Sequence, residues 1–196
     1  MTEMKIALHG YGKMGKALER LHDGPIVPLE ECDVCIDFSH ADAVVDCVRQ
    51  ACDAGCDLVI GTTDWEKDLP QVKQMVETAG IGALHSPNFS IGMALFVKLA
   101  EQAKQLLHDY EVSGIEVHHS TKKDALSGTA KLLGVPFSSV RVGKVPGTHT
   151  LIFDSEVDTI ELTHRARSRD GFARGALRAA QWIRGKQGLY TLNDML

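Results

Sequence analysis

Apolar and polar positions along the chain fall into two textures. Up to residue 89, short apolar runs at 5–9, 33–38, 57–60 and 81–85 alternate with segments of helical spacing at 14–21, 41–54 and 70–79. Strands that alternate with helices over short links pair in parallel through right-handed crossovers. This half is therefore expected to be α/β: a Rossmann-like, doubly wound parallel sheet. After a longer helix expected over 91–107, strand-like patterns follow one another at 110–119, 140–145, 148–154 and 159–166, interrupted by a short helix at 127–133. That succession predicts a smaller α+β domain with a mixed sheet. A last helix over 170–184, rich in Ala and Arg, places Phe172, Ala176, Leu177, Ala180 and Ile183 on one face and is expected to return to the first domain. The expected domains are thus 1–89 with 168–196, and 90–167. No repeat or low-complexity segment interrupts them.

Composition narrows the classes. The 196 residues are 44% hydrophobic and 24% charged, ordinary for a folded globular protein. Lys and Arg number 21 against 26 Asp and Glu, a net charge of -5 without a basic stripe, so nucleic acid is not an expected partner. Any anionic ligand has to be held by local groups. No apolar run approaches the roughly 18 residues that span a bilayer. Met1 leads within a few residues into a strand rather than a signal peptide, so no membrane partner and a cytoplasmic location are expected. The five cysteines, Cys32, Cys35, Cys47, Cys52 and Cys56, are an odd, crowded set that argues against a disulfide framework. Cys32 and Cys35 form a C-x-x-C, but a strand over 33–38 would point residues three apart to opposite faces. They are read as small buried hydrophobes, and no metal site is expected.

Two segments carry chemistry. Gly10-Tyr11-Gly12-Lys13-Met14-Gly15 is a G-x-G-x-x-G between the first strand and the first helix. Glycines there let the backbone approach a pyrophosphate, and the helix start offers free N–H groups. The alternative is a tight turn without a ligand. The acidic companion that grips the adenosine ribose lies about twenty residues on in such folds, near Asp37. Pro25 and Pro28 break the ten residues between Leu21 and Cys32, so either Asp37 holds the ribose or the ribose-binding strand is missing.

The second segment runs from Glu116 through His118, His119, Lys122 and Asp124 to Ser127-Gly128-Thr129-Ala130. Ser127, Gly128 and Thr129 offer hydroxyls and backbone N–H groups to a carboxylate, and Lys122 adds a positive charge. His118 or Lys122 could deliver a proton. The plain alternative is a helix cap beside an exposed strand end.

The pattern E-x-H-H-x-x-K-x-D-x-x-S-G-T-A, together with Ile36-Asp37-Phe38-Ser39, Val59-Ile60-Gly61-Thr62-Thr63, Pro87-Asn88-Phe89-Ser90, Ser168-Arg169-Asp170-Gly171-Phe172-Ala173 and Gly188-Leu189-Tyr190, closely resembles the 4-hydroxy-tetrahydrodipicolinate (dihydrodipicolinate) reductase family. The resemblance implies NADH- or NADPH-dependent reduction of a cyclic dicarboxylate in the diaminopimelate route to lysine, by a homo-oligomer that is usually a tetramer. It implies a dinucleotide-binding domain at 1–89 with 168–196 and a substrate-binding and oligomerisation domain at 90–167. Gly10, Tyr11, Gly12, Lys13, Met14 and Gly15 become the pyrophosphate loop, and Gly61, Thr62, Thr63, Ser86, Pro87, Asn88 and Phe89 the nicotinamide-side contacts. His118 and Lys122 become the acid–base pair, His119 a substrate contact, and Ser127, Gly128 and Thr129 the carboxylate cradle. The chain departs from the family at Leu126, where the family carries proline, and between Leu21 and Cys32, where the ribose-binding strand has no room. On that alignment Asp37 is not the ribose ligand, and Lys13 is placed to meet a 2′-phosphate. Arg165, Arg167, Arg169 and Arg174 are assigned no catalytic role. Two rivals remain at this point: another dinucleotide-dependent dehydrogenase of a small carboxylate, and a nucleotide-binding sensor without turnover.

Overall fold

The computed structural model describes residues 3–196; Met1 and Thr2, at the start of the expected first domain, lie outside the described residues. The chain divides into two compact units, one of residues up to Ser90 with Phe172–Leu196, the other of Ile91–Gly171.

In the first unit, β1 (Ile6–His9), β2 (Val34–Asp37), β3 (Asp57–Ile60), β4 (Gly82–His85) and β9 (Gly188–Thr191) form an all-parallel sheet in the order β1-β2-β3-β4-β9. Their near-continuous apolar runs fit strands covered on both faces. Helices α2 (Val44–Ala54) and α3 (Leu69–Ala79) pack Val44, Cys47, Val48, Ala51, Val72 and Val76 against Ala7, Cys35, Leu58, Ile60 and Ala83 of one sheet face. Both helices end at glycines in the left-handed region, Gly55 (φ 66°) and Gly80 (φ 70°), which stop the helix without a Cβ penalty.

The segment after α1 (Lys13–Leu21) explains the short spacing before β2. Ile26 makes a single parallel bridge to Ile6: the Ile6 N–H donates to the Pro25 carbonyl (3.2 Å), and the Val27 N–H donates to the Ile6 carbonyl (3.0 Å). In a parallel pairing the N–H and C=O of one residue point the same way, so Ile26 flanks β1 opposite to β2. The chain then turns through Leu29–Glu31 and enters β2. The winding therefore still reverses at β1, which puts the crevice where ligands bind such sheets at the carboxyl end of that strand. Among the described residues, one bridge at the level of Ile6 is the only pairing on the outer flank, and the chain leaves the sheet before the level of the glycine loop.

In the second unit, β5 (Glu111–His118), β6 (Phe137–Arg141), β7 (Thr148–Asp154) and β8 (Thr159–Arg165) form a mixed sheet in the order β6-β5-β7-β8, with β5 and β6 parallel and the rest antiparallel. Helix α4 (Ile91–Leu106) lays Met93, Phe96 and Ala100 on Leu151 and Phe153, joined by Leu133 of α5 (Gly128–Leu133).

Helix α6 (Asp170–Ile183) buries Ala173, Gly175, Ala176, Ala180 and Ile183. A Cβ at Gly175 would lie 1.7 Å from the Phe89 carbonyl oxygen, so only glycine lets the helix pass there. Two expectations are corrected, and two elements had not been expected. The strand expected at 140–145 is β6 at Phe137–Arg141, because its exposed edge carries no apolar alternation and the chain turns at Gly143 (φ 53°). Strand β9 and the short α7 (Leu192–Met195) carry no signal strong enough to predict them. Finally, Cys32 precedes β2 rather than lying on it, so alternation does not part it from Cys35; both pack in the same core.

Candidate active site

The residues expected to hold a dinucleotide follow neighbouring parallel strands at one end of the first sheet: Gly10–Gly15 after β1, Gly61–Thr63 after β3 and Ser86–Phe89 after β4. Gly10 has φ 90°, and a Cβ there would lie 2.5 Å from the Phe38 carbonyl oxygen; one at Gly15 would lie 2.5 Å from that of Gly10. Around Gly12, the residue that caps α1, a Cβ would meet nothing within 4 Å. Two glycines are thus needed for close packing, while the middle one borders open space beside the free N–H groups of a helix start. That combination fits a pyrophosphate. Tyr11, Lys13, Thr63 and Pro87 are exposed. The Tyr11 hydroxyl donates to Glu19.

Other members of that set serve the scaffold. Thr62 is buried: its hydroxyl donates to Asp37 Oδ2 (2.9 Å) and accepts from the Ser39 N–H (2.9 Å). Ser86 is buried and donates to the Asn88 carbonyl (2.8 Å), and Phe89 packs edge-on to Phe38. Asp37 is fully buried, with Oδ1 2.9 Å from His9 Nδ1 and accepting from the Ser39 N–H (3.1 Å). Both oxygens are occupied, so its carboxylate has no face to offer a ribose.

In the second unit β5 alternates: Glu116 and His118 are buried, whereas Ile115 is 40% exposed. Glu116 accepts from the Ser127 N–H (3.2 Å to each oxygen), from Ser139 Oγ (2.6 Å) and from Arg141 Nη2 (2.9 Å). Burial alone would raise its pKa; the bonds from Ser127, Ser139 and Arg141 outweigh it and hold the carboxyl at about 2. Sheet register produces this cage, since Glu116 stands opposite Ser139 on one side and His149 on the other, and His118 opposite Arg141.

His118 Nε2 lies 3.4 Å from Glu116 Oε2, is buried and has no hydrogen-bond partner. Burial pushes its pKa down, Glu116 pushes it up, and Lys122 and Arg141 push it down again, for a net lowering. His149, whose ring stands edge-on to His118 at 5.1 Å, is held at about 4 by burial first and the His118 charge second. Glu116, His118 and His149 are close enough to share an ion, but the Glu116 carboxylate already accepts from three groups, one of them cationic. That makes it a poor metal ligand.

Ser127 caps α5: its hydroxyl accepts from the Ala130 N–H (3.2 Å) and sits 3.0 Å from His149 Nε2. It is buried, so the accessible groups of the expected cradle are Gly128 and Thr129 at the head of the helix. Lys122 Nζ bonds both Asp124 oxygens (2.6 and 2.8 Å), and His119 Nδ1 lies 2.8 Å from Thr121 Oγ1. His119 also lines an open pocket with Thr121, Lys144, Pro146 and Arg169. Leu126 follows a cis peptide bond. Arg141, Ser139 and His149 have no role in the sequence motif because they reach Glu116 from neighbouring strands. Glu116 itself was legible, as it shares the parity of His118.

The buried pair sets a pH dependence. His149 binds its proton at about 4 in the fold but near 6.5 when unfolded, so the unfolded chain holds more protons in that window and stability falls as pH drops through it. The loss is expected to be on the order of 3 kcal/mol, with a further loss below the ordinary carboxylate range as Glu116 protonates towards about 2. Urea midpoints at about pH 7 and about pH 4.5 measure it, and His149→Gln should flatten the slope. Equal wild-type stabilities at the two values would refute the assignment.

The chain is similar to known proteins over nearly its whole length. Residues 92–196 match the family model described as dihydrodipicolinate reductase, C-terminus, and 22–89 the corresponding N-terminus. A 4-hydroxy-tetrahydrodipicolinate reductase of Christiangramia forsetii is 34% identical over 98% of both chains, and one of Thermosipho africanus 37% identical over 98% of both. Among solved structures, a dipicolinate-bound dihydrodipicolinate reductase from Paenisporosarcina sp. TG-14 covers 100% of both chains with a TM-score of 0.83 at 22% identity. With matches that together span nearly its whole length, the chain belongs to the dihydrodipicolinate reductase family.

Proposed function

We propose that this protein reduces 4-hydroxy-tetrahydrodipicolinate to tetrahydrodipicolinate with NADH or NADPH, in the diaminopimelate route to lysine. The observation that carries the reading is the buried Glu116–His118 pair beside Lys122 and the head of α5: an unsatisfied imidazole nitrogen among groups suited to a dicarboxylate. A reduced nicotinamide, when bound, supplies the hydride. Gly10, Gly12 and Gly15 with the start of α1 would hold its pyrophosphate, with Lys13 at the adenosine side and Gly61, Thr63, Pro87 and Asn88 toward the nicotinamide. Buried Thr62, Ser86 and Phe89 support that contact surface.

Lys122 and the N–H groups of Gly128 and Thr129 bind and orient the substrate carboxylates, with His119 beside them. In the free protein, burial and the Lys122 and Arg141 charges hold His118 neutral at pH 7. Two substrate carboxylates brought next to it oppose that effect and favour the imidazolium. His118 Nε2 then carries the proton that quenches negative charge on the reduced ring, or Lys122 Nζ does. The alkaline limb of kcat/KM, which reports the free enzyme, is accordingly expected at lower pH than that of kcat.

The experiment is a coupled assay: substrate generated by the upstream synthase, with nicotinamide oxidation followed in time. Nucleotide binding without turnover would favour a sensor. Turnover of other carboxylates but not of this substrate would favour another dehydrogenase.

Among the described residues the outer flank of β1 is paired only through the Ile26 bridge, in place of the strand whose acidic end grips the ribose 2′-hydroxyl in such folds, and Lys13 is exposed. NADH and NADPH are expected to bind within about tenfold of each other by nicotinamide fluorescence, and a hundredfold preference for NADH would refute this. The reading includes a homo-oligomer, the family's usual tetramer, in the cytoplasm. It is supported by the apolar side chains Ile115 and Val140 on the second sheet, at 40% and 44% exposure. Among the described residues no helix is long and apolar enough to cross a membrane.

A further inference from the structure

Five cysteines fall in one core of the first unit, and one pair among them is built differently from the rest. Cys32 Sγ lies 2.9 Å from Cys56 Sγ, whereas Cys35 and Cys47, deep in the same core, are 4.0 Å apart. The pair's geometry comes from the backbone. Cys32 precedes β2 and Cys56 precedes β3; the two strands pair in parallel from Val34↔Asp57, and the Asp57 N–H donates to the Asp33 carbonyl (3.2 Å). The Cys56 N–H is held by the Ala51 carbonyl (3.0 Å) and the Cys32 N–H by that of Leu29 (3.3 Å). The backbone at both cysteines is thus fixed by the last turn of α2, the turn at Leu29–Glu31 and the pairing of β2 with β3.

Their exposures differ in a useful way. Cys56 is buried, at 2%, while Cys32 is partly exposed. The Cys32 thiol donates to the Cys56 sulfur, whose own thiol donates to the Asp57 carbonyl (3.3 Å), and the contact pulls the Cys32 pKa down and pushes that of Cys56 up. A reachable sulfur within contact of a shielded partner sulfur is the arrangement of an attacking and a resolving cysteine.

We propose that Cys32 and Cys56 are a redox-responsive pair that closes to a disulfide when the protein meets a hydroperoxide. The Cys32 thiolate attacks the terminal peroxide oxygen, the O–O bond breaks, and the leaving oxygen takes a proton, giving a sulfenic acid on Cys32. The Cys56 sulfur then attacks the Cys32 sulfur, the S–O bond breaks, and hydroxide leaves as water with the Cys56 proton. Two thiols lose two electrons, and hydrogen peroxide becomes two waters. The bond would tie the entries of β2 and β3, at the opposite end of the sheet from Gly10–Gly15, enclosing β2 and α2. Oxidation is therefore expected to raise stability while leaving nucleotide binding unchanged. In a reducing compartment such a pair is open by default and closes only under oxidant.

The test uses the full-length reduced chain treated with hydrogen peroxide, quenched by alkylation and mapped without reduction. The expected result is a Cys32–Cys56 cross-linked peptide, three alkylated cysteines in place of five, a Tm raised by several degrees and reversal by dithiothreitol. In Cys56→Ser, Cys32 should instead accumulate sulfenic acid, trapped by dimedone. A principal link joining Cys35 to Cys47 or Cys32 to Cys52, or a Cys32 oxidised to sulfinic acid with Cys56 still alkylatable in the wild-type chain, would overturn the proposal.

Discussion

Glu116→Ala is expected to cost about 3–5 kcal/mol of stability, the largest effect of any single substitution in the second unit. The carboxylate is fully buried and receives the Ser127 N–H, the Ser139 hydroxyl and the Arg141 guanidinium. Deleting it leaves those donors facing an apolar methyl and strands a cation that no longer has its counter-charge. Arg141 also donates to the Asp124 carbonyl (2.6 Å), so the loss propagates into the loop that carries Lys122. Glu116→Gln keeps the volume but puts an amide donor opposite existing donors, and an intermediate loss is expected. Urea unfolding measures both; an alanine variant within about 1 kcal/mol of the parent would mean that the cage does not hold the β5–β6–α5 corner together.

His118→Ala and Lys122→Ala are each expected to lower kcat/KM by about 10²–10⁴-fold, the range for a positioned proton donor. The two should separate in how the loss divides. Removing Lys122 takes away a charge that binds substrate before and during the reaction, so KM should rise as well as kcat fall. Removing His118 takes away a proton that matters only as the ring is reduced, so most of the loss should fall on kcat, and the pH limb assigned to the imidazole should vanish. Thermal midpoints close to the parent's would show that the fold survives. A change within about threefold for both variants, under roughly 0.7 kcal/mol, would remove both from the chemistry.

How much of this was legible in the sequence depended on whether a feature is local in the chain. Strands β1 to β4 and helices α2, α3 and α4 stood out because each carries its own period and its own stop signal, as Gly55 and Gly80 do for α2 and α3. The glycine loop and the His118-to-Thr129 segment are contiguous, so their residue types and spacing were readable. Strand β6 was displaced because an exposed edge leaves no alternation to read. Cys32 was assigned the wrong side because strand alternation was applied to a residue that lies just before the strand, expected at 33–38 and observed at Val34–Asp37.

By itself, the sequence determined the class of each half and the family, and it offered the groups expected to deliver a proton and bind carboxylates, while leaving open whether Asp37 holds the ribose or the ribose-binding strand is missing. Only the tertiary structure decided that Ile26 retains one bridge on the outer flank of β1, that Asp37 and the Ser127 hydroxyl are consumed by the scaffold, and that Ser139, Arg141 and His149 surround Glu116. The physical reason is register. Alternation along a strand states which face a side chain takes, but not which residue of the next strand stands beside it; that is set by pairing between segments far apart in the chain.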